Sequence, residues 1–104
     1  MSITTEADAY TYTETVAKIL AEAGLNVTDT SADEIEVAED EMGFTGHIEI
    51  DDGEEGYSWD TDRGWKYLLG SDGGGVYNNV EELLWGEDWP PAEVAEKILA
   101  RRSR

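Results

Sequence analysis

Cysteine is absent from this 104-residue chain, which excludes disulfides, thiolate catalysis and cysteine-ligated zinc or iron–sulfur centres. Positive charge is nearly as scarce. Seven Lys and Arg stand against 25 Asp and Glu, for a formal net charge of −18. Phosphate backbones and anionic membrane surfaces are repelled by such a chain across a Debye length of about 8 Å. Neither direct nucleic-acid binding nor membrane binding is therefore expected, and basic protein surfaces are the favoured partners. Long apolar runs are missing too: no segment approaches the roughly 20 residues of a bilayer span. The first twelve residues, MSITTEADAYTY, have no basic start or apolar stretch of a secretory signal. A cytoplasmic protein is the expectation.

Aromatic residues are well represented, with four Trp, five Tyr and one Phe. Each buries a large area with few rotatable bonds, which lets a short chain with a hydrophobic fraction of only 39% assemble one core. The length fits one domain over residues 1–104. At its centre, YSWDTDRGWKYLL (57–69) places Trp59 and Trp65 on either side of a polar connection, Asp60-Thr61-Asp62-Arg63-Gly64, the pattern of a β-hairpin. The same stretch divides the charge. Residues 1–62 carry about −17 and residues 63–104 about −1.

Thr5-Glu6-Ala7-Asp8 has the form of a helix start, with a hydroxyl for an orphan amide and acids at the positive end of the dipole. Tyr12, Val16, Ile19, Leu20 and Ala23 then follow one helical stripe, and Gly24 supplies a left-handed stop. Residues 26–32 read as a polar connection. From Asp33 the period changes to two: Ile35 and Val37 alternate with Glu34 and Glu36, residues 39–43 read as a turn, and Phe44, Gly46, Ile48 and Ile50 alternate with Thr45, His47, Glu49 and Asp51. Residues 52–56 form the next turn, before the tryptophan hairpin. Residues 78–85 read as a short helix with an Asn cap, and Pro90-Pro91 opens a last helix with Val94, Ile98 and Leu99 on one face. The expected fold is α+β: an N-terminal helix, an antiparallel meander of three or four strands, and two C-terminal helices.

Few of the polar residues suggest chemistry. His47 is the only histidine, and Ser58 is the one nucleophile within plausible reach of it. A surface histidine among carboxylates, its pKa raised by them, is the better account. Asp60-Thr61-Asp62-Arg63-Gly64 begins like a calcium loop but has Gly64 where a third oxygen ligand is needed, and it joins two strands instead of two helices. Gly73-Gly74-Gly75 lacks the Lys and Ser/Thr of a phosphate loop. No catalytic residue, metal or cofactor is expected.

The acidic pattern is the sharpest signal. No Lys or Arg occurs between residues 19 and 62. The alternation is expected to put Glu34, Glu36, Glu49 and Asp51 on one outward face, with Glu39, Asp40 and Glu41 at the hairpin tip. Alternate strand residues recur at roughly 6.6 Å, a lattice of negative charge coarsely comparable to that of a nucleic-acid strand. Trp85 and Trp89, in a loop beside Glu87 and Asp88, are candidate interface anchors, the alternative being that they cap the core between the two C-terminal helices. Together these residues suggest a non-enzymatic protein that occludes a basic surface of a nucleic-acid-binding protein or a nuclease, in the manner of nucleic-acid mimics, inhibitors and immunity proteins. A second reading assigns the acidity to solubility in an acidic or high-salt proteome, with Trp85 and Trp89 making the contacts. Both readings leave a homodimer open.

The motif Trp59-Asp60-Thr61-Asp62-Arg63-Gly64-Trp65, with the closing Pro-x-x-x-Val-Ala helix at residues 90–95, resembles a group of small uncharacterised actinobacterial domains with a WD-x-x-x-GW hairpin. The likeness covers the C-terminal half. It implies an α+β layout and an actinobacterial or phage origin, and brings no activity with it.

Overall fold

A computed structural model describes residues 5–61, 64–71, 77–83 and 90–102. Helix α1 (Glu6–Glu22) begins where Thr5 Oγ1 accepts the Asp8 amide at 3.1 Å, with Glu6 and Asp8 in the first turn. Its threonines are accommodated by bonding back along the helix. Thr13 donates to the Ala9 carbonyl at 2.8 Å and Thr15 to that of Thr11 at 2.7 Å. Gly24 ends the helix with φ of 103°, and the Leu25 amide closes onto the Leu20 carbonyl at 3.1 Å.

Five antiparallel strands follow as a meander, in the spatial order of the sequence: β1 (Val27–Ala38), β2 (Glu41–Ile50), β3 (Glu55–Asp60), β4 (Gly64–Ser71) and β5 (Tyr77–Glu82). A short 3-10 turn, Asp51–Gly53, joins β2 to β3. Helix α2 (Pro91–Arg102) closes the described chain and packs against α1. The α+β class is as expected, but among the described residues the element count differs: two helices instead of three, and five strands instead of three or four.

Two segments account for the difference. Residues 78–82, expected within a helix, belong to β5 because pairing satisfies the backbone groups of β4 that would otherwise end the sheet. The pairing also sets Glu82 opposite Lys66 and brings Glu81 to Arg101 at 2.5 Å. Residues 26–32, expected to be a connection, belong to β1 from Val27 onward, since Thr30 and Ala32 pair with Ile48 and Gly46 on the face that α1 covers. The turn expected over residues 39–43 is also shorter. Only Glu39 and Asp40 lie between the strands, with Asp40 at φ of 61°.

Both helices lie on one face of the sheet. Tyr57, Trp59, Trp65 and Tyr67 all point to that side, because Trp59 pairs with Trp65 and Tyr57 with Tyr67. Tyr12 of α1 meets the Trp59 ring edge-on, at 5.4 Å and 85° between planes. Val16, Leu20, Ile48, Ile50, Val94 and Ile98 complete the core. The indole nitrogens are satisfied inside it. Trp59 Nε1 donates to Thr13 Oγ1 at 2.8 Å and Trp65 Nε1 to the Tyr12 hydroxyl at 3.4 Å. Gly46 lies beneath this contact, where a Cβ would collide with both Thr13 Oγ1 and the Trp59 indole. The missing side chain is what lets α1 settle onto β2.

Candidate protein-binding surface

The β1–β2 hairpin outruns the rest of the sheet. The last β2–β3 pair is Thr45 with Asp60, and Thr61 closes the ladder by donating its amide to the Phe44 carbonyl at 3.0 Å while its hydroxyl accepts the Phe44 amide at 3.2 Å. Residues 34–43 continue past that point as a two-stranded ribbon. They contain Glu34, Glu36, Glu39, Asp40 and Glu41 and no basic residue, and all five acids are exposed. Met42, directly opposite Glu36, is an exposed large apolar side chain within the ribbon, at 54%.

The faces are not those the alternation predicted. An irregularity between Glu36 and Ala38 gives β1 one residue more than β2, and a second lies between Val27 and Asp29. A one-residue shift exchanges the two faces of a strand. Without it, Ile35 would oppose Phe44. With it, Glu34 opposes Phe44 and Glu36 opposes Met42, so both glutamates stand on the helix side, beyond the reach of α1, whereas Glu49 points the other way. Asp51 is on neither face. It begins the 3-10 turn with φ of 54°, its amide donated to the Asn26 carbonyl at 3.0 Å. Trp85 and Trp89 lie outside the described residues.

The helix-free face is acidic in its own right. Register places Asp29 and Asp33 of β1, Glu49 of β2, Asp60 of β3 and Glu82 of β5 on it, with Lys66 of β4 beside Asp60 at 3.4 Å. Asp29 and Asp33 were concealed in sequence, because they fall where the chain reads as a connection or as the start of a strand of the opposite parity. The Tyr10 phenol on α1 is held above its ordinary value of 10.0, chiefly by donating to the Glu14 carboxylate and by that carboxylate's charge, then by desolvation, with Asp29 adding the smallest contribution.

His47 shares this face, between Ser31 and Ser58 on the flanking strands. Its pKa is lowered from 6.5, against the expectation from its acidic surroundings. Burial disfavours the imidazolium, and the opposing charges of Glu49 and Asp29 are too weak to reverse it.

On the opposite side of the molecule Tyr67, Leu69, Val80 and Glu81 line a cleft of about 290 Å³. Its polar groups serve the fold: Tyr67 donates to the nearly buried Glu55 at 2.7 Å, and Arg101 lies 5.5 Å over the Tyr67 ring while pairing with Glu81. Thus Arg101 is engaged with β5, far along the sheet from the ribbon. Among the described residues no group of three or more His, Asp or Glu side chains is placed to hold a metal ion, and no helix is long and apolar enough to cross a membrane. No family model, curated protein or solved structure matches the chain.

Proposed function

We propose that this protein is a non-enzymatic acidic binder that occludes a basic protein surface, of the type that contacts or cleaves nucleic acid. The observation that carries the reading is the ribbon over residues 34–43: five carboxylates without a base, extended beyond the last β3 pairing. A projecting element of one sign reaches into a concave basic site, and its field raises the rate of encounter with such a site. Glu34 and Glu36 lie about 6.6 Å apart along one side, and the turn acids extend the negative charge around the tip. The acids of the helix-free face enlarge the field, and Met42 offers a desolvating contact within it.

The test compares wild-type protein with the Glu34→Lys, Glu36→Lys, Glu39→Lys, Glu41→Lys variant for capture of basic nucleic-acid-binding proteins at low salt, followed by a salt ramp. Binding lost by a few hundred millimolar salt and abolished in the variant is expected, from screening of an electrostatic contact. Capture that survives the four reversals overturns the proposal. So does a wild-type protein that binds nothing basic and folds only in molar salt, the behaviour of a chain whose acids serve solubility.

A further inference from the structure

Strand β1 is the first in the sheet order, and among the described residues no strand lies beyond it. The direction of its backbone groups follows from its neighbour. On β2 the Phe44 carbonyl faces β3, where it accepts from the Thr61 amide, and the Glu49 carbonyl faces β1, where it accepts from the Thr28 hydroxyl at 3.4 Å. N–H and C=O of one residue point the same way and alternate along a strand, so Gly43, Thr45, His47 and Glu49 address β1. Their register partners Ile35, Asp33, Ser31 and Asp29 point inward to β2. It follows that Thr30, Ala32, Glu34 and Glu36 turn their amides and carbonyls to the open edge. The register between Asp29 and Glu36 is unbroken, and the two irregularities are confined to its ends.

We propose that this edge is a strand-addition site, and that its occupant is an extended basic segment of a partner protein. A sixth strand laid along residues 29–36 would find two pairs of carboxylates, Asp29 and Asp33 on the helix-free face and Glu34 and Glu36 on the helix side. Cross-strand neighbours share a face, so Lys or Arg at both parities of the incoming strand would be paired and acids would be repelled. A second copy of this chain offering the same edge brings acid against acid, which makes the edge closed to itself while open to a basic segment. Main-chain pairing supplies affinity in such complexes, and side chains supply selection. The inference rests on the proposed acidic binding function and specifies how part of that surface engages its partner.

The experiment uses an eight-residue Lys-rich peptide with lysines at both parities, and the same peptide N-methylated at alternate residues, which keeps the charge and blocks strand pairing. Amide exchange of the protein is followed by NMR. The unmodified peptide is expected to slow exchange at Thr30, Ala32, Glu34 and Glu36 and to bind at least tenfold tighter than its N-methylated form. Glu34→Pro, which removes an edge-directed N–H at an exposed position, should abolish this protection, whereas Glu34→Gln should retain it with weakened affinity. Equal binding of both peptides, or binding without slowed exchange at those four amides, overturns strand addition and leaves the acidic binder standing. If neither peptide binds at low salt, and basic proteins are not captured either, both proposals fall.

Discussion

Asp29 and Glu49 are direct partners across the β1–β2 ladder, on the face of the sheet that carries no helix. Like charges in this relation destabilise a strand pair, and the molecule keeps them where a neutral or opposite pair would fold better. Replacing Asp29 by Lys is expected to stabilise the protein by up to about 1 kcal/mol at low ionic strength. Asp29→Asn should give part of that gain. Urea unfolding at low salt and in 1 M salt checks the origin, because at a Debye length of about 3 Å the difference between variants should shrink toward zero. A gain that persists undiminished in 1 M salt would mean that packing, not charge, had been altered.

The contact among Gly46, Thr13 and Trp59 makes the opposite prediction, of a site with no room for change. A methyl group at residue 46 would enter the space held by Thr13 Oγ1 and the indole. Gly46→Ala should therefore destabilise by about 1–3 kcal/mol through overpacking. Thr13→Ala should also destabilise, by about 1–3 kcal/mol, since it removes the acceptor of the buried Trp59 N–H. Both changes disrupt one hydrogen bond, so the double variant should lose less than the sum of the single losses. Additive losses in urea titrations would show that α1 and β2 are not coupled through this bond.

How far the molecule can be read without coordinates differs between its two faces. The helix-side core was legible because its signals are local and redundant: the stripe of Tyr12, Val16 and Leu20 has helical spacing, and Trp59 and Trp65 flank a turn that sets their pairing. The acidic surface was legible as composition and as a hairpin tip, but its faces were not. Their assignment depended on whether β1 held one extra residue near Val37, and neither Glu36 nor Ala38 announces a bulge. Strand β5 was hidden for another reason. Val80, Leu83 and the acids around them fit a helix as well as a strand, and only the open edge of β4 decides between the two.

His47 gives a prediction in which the sign separates burial from charge. Its imidazole is half-buried on β2 with a pKa below 6.5, so the unfolded chain takes up a proton at a pH where the folded protein does not. Stability then falls as pH drops below the unfolded value, and this contribution levels off once pH is below the folded value. Had the nearby carboxylates dominated, protonation would instead have stabilised the fold on acidification. His47→Gln removes the titrating group and keeps a polar side chain of similar reach. Stability measured by urea unfolding between pH 5 and pH 7.5 should therefore decline more steeply toward acid in the wild type than in the variant, with the two curves converging in shape above about pH 7. A wild-type curve that rises relative to the variant on acidification would show that Glu49 and Asp29 outweigh desolvation, and that the helix-free face holds His47 as a cation.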